Sequence, residues 1–136
     1  MLVDLHSLNL WAILVAAVAG FVIGGIWYAP PVLGNKWMAA LGKTKDQLSS
    51  PTIPMAMQVV VSLVIALVLA VVVSRFGAVT WIEGAAIGFA LSVGLIGTTI
   101  LSDSMFSGPN ARLYLIQVGY RVISITIMGA ILGAWR

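Results

Sequence analysis

Along the chain, apolar residues run in long blocks that charged residues barely interrupt. Residues 5–35, 47–74 and 84–102 contain no Asp, Glu, Lys or Arg, and residues 113–135 contain only Arg121. A helix rises about 1.5 Å per residue, so about 20 apolar residues cross the ~30 Å hydrocarbon layer of a bilayer. Each block is close to that length or exceeds it. The pattern predicts transmembrane helices over about residues 9–28, 55–74, 83–102 and 113–135. Transmembrane β-strands alternate apolar and polar positions over about ten residues, and these blocks do not. The expected fold is an all-α, integral membrane four-helix bundle in a single domain, residues 1–136.

The joints between the blocks have readable chemistry. Ser7 or Asn9 can cap the first helix, and Pro30-Pro31 stops it by pushing Ala29 out of helical angles. The segment at about residues 32–50 is the one long connection. Its Leu33, Trp37 and Leu41 recur every four residues with Lys36 and Lys43 off that face, which predicts a short amphipathic helix in the membrane interface, ended by Gly42. Thr44 and Gln47 then have capping-box spacing before Leu48, and Pro51 and Pro54 stand at the entrance of the second span. The other two connections, about residues 75–82 and 103–112, are short enough to make antiparallel hairpins.

Composition agrees with a membrane setting. Of 136 residues, 61% are apolar and 8% are charged, against about 45–50% and about 25% in soluble domains. Trp11, Trp27, Trp37, Trp81 and Trp135 all fall at or just beyond a predicted span end, where the indole ring favours the bilayer interface. The first span reads as a retained helix and not a signal peptide: Asp4 and His6 precede it instead of Lys or Arg, and Ala29 before Pro30 is a poor cleavage context. Lys36, Lys43, Lys45 and Arg112 mark one membrane face, and Arg75 and Arg136 the other. The positive-inside rule then places both termini outside the cytoplasm. The net charge of +3 comes from these scattered loop residues, so no nucleic-acid partner is expected.

Lipid tails are as apolar as leucine, so helices in a bilayer associate through close backbone approach at small residues. Such pairs occur at Gly20/Gly24, Ala66/Ala70, Gly84/Gly88 and Gly129/Gly133. Ser92 continues the Gly84/Gly88 row, while Ala90, Gly94 and Thr98 form a second row on another face of the third span. Two such faces predict one contact inside the bundle and another to a second copy, hence a homo-oligomer.

Few groups here can do chemistry. Cysteine is absent, His6 is the one histidine, and no phosphate loop, GxSxG motif or paired carboxylates occur. No catalytic residue, metal site or cofactor is expected. Arg121 stands out, since a cation within a span costs up to ~3 kcal/mol on insertion scales. Tyr114, Gln117, Arg121 and Ser124 line one helix face, with Tyr120 beside Arg121. Ser92, Thr99, Ser102 and Asp103 form a milder polar row on the third span. Two readings follow for Arg121. One is a polar cavity that admits an anion, a lipid headgroup or Asp103 as a gated counter-ion. The other is a side chain that snorkels to the interface or pairs statically with Asp103, about 10 Å away along the axis. Glu83 reads as an interfacial ion pair with Arg75 or Arg136, and Gln58 and Ser62 as helix–helix hydrogen bonds.

Several stretches also carry a family resemblance. They are Asn9-Leu10-Trp11-Ala12-Ile13-Leu14-Val15-Ala16-Ala17, Gly24-Gly25-Ile26-Trp27-Tyr28-Ala29-Pro30, Gly34-Asn35-Lys36-Trp37-Met38 and Leu41-Gly42-Lys43-Thr44. Thr98-Thr99, Leu115-Ile116-Gln117-Val118-Gly119-Tyr120 and Met128-Gly129-Ala130-Ile131-Leu132-Gly133 follow. In order and spacing they resemble a family of small bacterial membrane proteins catalogued as domain of unknown function 1761 (DUF1761), most specifically in the WY-x-P…G-x-x-W segment. The resemblance implies four transmembrane helices and the bacterial inner membrane, and it carries no catalytic residues with it. The expected role is that of an oligomeric structural, accessory or lipid-interacting membrane protein whose partners are lipids and copies of itself. The alternative is a small-solute or ion transporter or channel built on the Arg121 cavity, and a lipid-acting enzyme ranks last.

Overall fold

A computed structural model describes residues 5–44, 46 and 52–135. The predicted positions Asp4, Lys45, Gln47, Leu48, Pro51 and Arg136 lie outside the described residues. Every regular element is helical: α1 (Leu10–Trp27), α2 (Asn35–Leu41), α3 (Thr52–Arg75), α4 (Trp81–Leu91), α5 (Thr98–Ser107) and α6 (Ala111–Ala134). A π-helical stretch, Ser92–Gly97, joins α4 to α5, so Trp81–Ser107 forms one span. With α1, α3 and α6 it makes four helices long and apolar enough to cross a membrane.

The ends follow from local chemistry, and here the structure corrects several boundaries. Asn9 is the cap of α1, its side chain accepting from the Ala12 amide at 3.2 Å. Ala29, before the proline pair, is extended at φ −64°, ψ 139°. The chain then makes a single π turn over Pro30–Gly34, closed by the Gly34 amide on the Ala29 carbonyl at 2.9 Å. The interfacial helix is only α2, because Gly42 takes a left-handed φ of 72° and the Gly42 and Lys43 amides close back on Ala39 and Met38. The same closure ends α3 at Gly77, φ 71°, with the Ala78 amide on the Val73 carbonyl.

The third span starts two residues earlier than its apolar pattern, since Thr80 caps Glu83 and the Glu83 carboxylate accepts from the Val79 amide at 3.1 Å. It also continues past Ser102, through Asp103, until Gly108 and Pro109 break it. Asn110 then caps α6, which places Arg112 inside the first turn of that helix.

Helix α6 is the hub and packs against α1, α3 and α4. Small residues bring these helices close: Ala12, Ala16 and Ala17 from α1, and Ala66, Ala70 and Val73 from α3, surround Ile125, Met128 and Leu132 of α6. On its other side α6 crosses α4 backbone to backbone. A Cβ at Gly84 would fall inside the Gly129 carbonyl, and one at Gly88 would sit 2.5 Å from the Ile125 oxygen. Gly133 meets Thr80 and Gly84 in the same way. Gly20 packs on the Met128 side chain and Gly24 on the Tyr120 ring.

The outer faces are apolar. Leu14, Val18, Val22 and Ile26 of α1, and Val60, Val64, Leu67 and Val68 of α3, are all exposed. Apolar surface on this scale is the lipid-facing side of a multi-pass membrane protein. Trp11, Trp81 and Trp135 are exposed at the end of the bundle where α1 and α4 start and α6 finishes. Trp27 and Trp37, at the opposite end, are instead half-buried. Both take part in contacts within the chain.

Candidate functional site

At the end of the bundle where α1 finishes and α3 begins, a cleft of about 460 Å³ opens between α1, α2, α3 and α6. Its inner wall is α6, which contributes Gln117, Tyr120 and Arg121. The buried Tyr120 holds the wall in place. Its hydroxyl donates to the Gly20 carbonyl at 3.0 Å and accepts from Gln58 Nε2 at 3.1 Å. Gln58 also donates to the Ser62 hydroxyl at 3.3 Å one turn along α3, so Gln58 bonds across to α6 while its contact with Ser62 stays within α3.

Aromatic rings line much of the cavity beside Gly24, Gly25, Pro54 and Met55. Tyr28 stands edge-on to Tyr120 and to Trp37, each with centroids 5.6 Å apart. The π turn and α2 fold back over the end of α1 and thereby deliver Trp37 to this cluster. Trp27, just beneath, donates its indole N–H to the Ile116 carbonyl at 2.9 Å, in space left by Gly119. Burial raises the Tyr28 phenol above its ordinary value of 10.0 against the lowering pull of Arg121, and the nearby Tyr120 raises it further. Tyr28 therefore stays a neutral hydroxyl at physiological pH.

The guanidinium of Arg121 lies 5.1 Å from the centre of the Tyr120 ring, in cation–π contact. The cleft thus combines one cation, two primary amides (Gln58 and Gln117) and a wall of rings and methylenes. Chemically it can hold an anionic or strongly polar group with an apolar body attached.

Over residues 11–133 the chain matches the family described as Protein of unknown function (DUF1761). The chain belongs to that family. No curated protein and no solved structure matches it.

The structure of this DUF1761 member separates residues that the helical stripe of α6 puts in line. Arg121, Gln117 and Tyr120 share the cleft, but Asp103 does not. Asp103 lines a second cavity of about 260 Å³ between α5 and α6, with Ser104, Ser107, Asn110 and Tyr114. Asp103, near the end of α5, meets α6 at Asn110, Leu113, Tyr114 and Gln117, nearer the start of that helix than Arg121. Gln117 alone of the predicted group borders both cavities.

Tyr114 is seven residues from Arg121, about 10 Å along the axis, and donates to the Gly97 carbonyl at 3.0 Å. Ser124 is buried toward the core, its hydroxyl on the Arg121 carbonyl. Thr99 is exposed and bonds back to Leu95, and Ser102 is exposed on α5. Neither lines the Arg121 cleft. Among the described residues no cluster of three metal-ligating side chains occurs.

Phe21, Tyr28, Trp37, Pro54 and Met55 complete the cleft without having been singled out for it. The one sequence signal for Trp37 and Tyr28 is the amphipathic stripe of α2 directly after the proline pair, which implies a return toward the end of α1.

Proposed function

We propose that this DUF1761 member is a non-catalytic, lipid-interacting protein of the bacterial inner membrane whose Arg121 cleft receives the anionic end of an amphiphile. One observation carries the reading. Arg121 lies in the middle of a membrane-spanning helix and faces an apolar, aromatic cleft that no carboxylate lines among the described residues. An arginine at helix centre costs about 2.5–3.5 kcal/mol on insertion scales, and a cation–π contact returns about 0.5–2 kcal/mol. A carboxylate or phosphate entering the cleft supplies the missing charge-assisted hydrogen bonds. Gln58 and Gln117 stand beside it as neutral partners, and the ring wall suits the attached chain.

The test uses the full chain in nanodiscs of phosphatidylcholine doped with phosphatidylglycerol and oleate. Native mass spectrometry should find an anionic lipid retained by the wild type and lost in Arg121→Leu. Equal retention by both proteins sinks the reading.

A second reading, passage of a small anion, has one supporting observation: Gln117 borders both the Arg121 cleft and the Asp103 cavity. Chloride flux into proteoliposomes no faster than into protein-free liposomes removes it. The assembly we propose is a homo-oligomer joined through Ala90, Gly94 and Thr98, a row exposed on the outside of the Trp81–Ser107 span. A Cβ at Gly94 meets nothing within 4 Å, which leaves room for a second copy. Replacing Gly94 with Leu should lower the detergent-solubilised mass toward monomer, and an unchanged mass rejects this face.

A further inference from the structure

A second cleft, of about 700 Å³, lies between α2 and the first turns of α6, and Lys36 and Arg112 line it together. We propose that this cleft is a headgroup site for the phosphate of an anionic phospholipid. It is separate from the Arg121 cleft, and the two share no lining residue.

Three features of the site support this. First, two exposed cations line one cleft, and among the described residues no acidic one does. Like charges brought together repel, and an anion placed between them turns that repulsion into two attractions. Second, the site is prebuilt. Asn110 accepts from the Leu113 amide at 3.2 Å as the cap of α6 and donates through Nδ2 to the Ala40 carbonyl at 2.7 Å. One side chain thus ties the end of α2 to the start of α6, so the helices bearing the cations are held together before any ligand arrives.

Third, the remaining lining is aliphatic: Ala39, Ala40, Leu115 and Ile116, with Leu115 strongly exposed. A free phosphate shares the oxyanion chemistry but gains nothing from such a floor. A phospholipid places its phosphate on the cations and its glycerol and first methylenes on the floor. The location fits as well, because α6 is a spanning helix and this is its first turn, the level at which headgroups lie.

The experiment again uses the full chain in phosphatidylcholine nanodiscs doped with phosphatidylglycerol, with retained lipid counted by native mass spectrometry. Each cation near a membrane surface changes anionic-lipid affinity about fivefold, so Lys36→Gln with Arg112→Gln should weaken retention about twenty-five-fold. The charge-conserving pair Lys36→Arg with Arg112→Lys should retain phosphatidylglycerol as the wild type does. Both side chains are exposed, so the variants should unfold at the wild-type temperature; if the double variant does not fold, Lys36→Gln alone should still show the fivefold loss. Undiminished retention in the neutral variant overturns the proposal. So does displacement of the lipid by millimolar inorganic phosphate, which assigns the site to a free anion. Arg121→Leu is run in parallel to separate the two clefts. Loss there without loss in the Lys36/Arg112 variant rejects this site and leaves the Arg121 reading standing, and the converse result rejects only the latter.

Discussion

Tyr120 and Arg121 are neighbours in sequence with opposite relations to stability. Tyr120 is buried and joins α6 to α1 and α3 through a hydroxyl that both donates and accepts. Interhelical hydrogen bonds in membranes average about 0.6 kcal/mol, so Tyr120→Phe should cost about 0.5–1.5 kcal/mol in equilibrium unfolding from detergent. Tyr120→Ala removes the ring against Gly24 as well and should cost about 3–5 kcal/mol. If the two variants proved equal, the ring would be contributing nothing to packing. Arg121 should behave in the reverse sense. Arg121→Leu removes a cation from the middle of a span and should raise stability by about 1–3 kcal/mol while abolishing retention of the lipid in its own cleft. A fall in stability would instead make Arg121 a structural residue.

Arg121 was legible in sequence because it is the sole charge in its block. Its surroundings were not legible, and the reason is geometric. A stripe on one helix fixes direction but not which neighbour faces it. Asp103 looked like a counter-ion because hairpin order brings α5 beside α6, whereas it lines a separate cavity nearer the start of α6 than Arg121. Tyr28 and Trp37 meet only because a π turn returns α2 over the end of α1, a bend that pairwise spacing does not encode.

At the scale of elements, span number and approximate position could be read from apolar length alone, while span ends depended on single caps. Thr80 with Glu83, and Gly108 with Pro109, each moved a boundary by up to about a turn and a half from the apolar pattern, whereas Gly42 ends α2 where the sequence places the stop. Partner choice among the glycine rows was also beyond the sequence, since any small-xxx-small face can meet any other. The structure sets Gly84 and Gly88 against Gly129 and Ile125 within one chain. The expected effect of Gly88→Leu or Gly129→Leu is therefore loss of the α4–α6 crossing, and not separation of copies. Even Gly129→Ala should destabilise by about 1–3 kcal/mol or more, because backbone on both sides cannot yield as a side chain can. Gly94→Ala provides the contrast, since its Cβ enters open space and its effect on monomer unfolding should lie within about 0.5 kcal/mol. Thermal unfolding of the three proteins side by side checks this order. A Gly129→Ala variant as stable as Gly94→Ala would show that the crossing is looser than the structure has it.

For the whole molecule, the two ends of the bundle are chemically distinct. One end carries Lys36, Lys43 and Arg112 with both cationic clefts; the other carries Arg75, Glu83 and the exposed Trp11, Trp81 and Trp135. Connections 1–2 and 3–4 lie at the first end, since four consecutive spans alternate in direction. Anionic lipid at the cytoplasmic leaflet attracts juxtamembrane cations by about 1 kcal/mol each, so with the first end cytoplasmic, as the positive-inside rule predicts, the same residues would both orient the chain and recruit ligands to its clefts. Orientation and lipid binding thereby become one prediction. The chain contains no cysteine, so Lys43→Cys introduces a single thiol in the exposed turn after α2. An impermeant maleimide should label that thiol in inverted inner-membrane vesicles and leave it unlabelled in intact spheroplasts. A cysteine replacing Phe76, exposed at the opposite end, should give the reverse pattern. Labelling of both positions from both sides would mean that the chain inserts in two orientations, and the clefts would then face each leaflet equally.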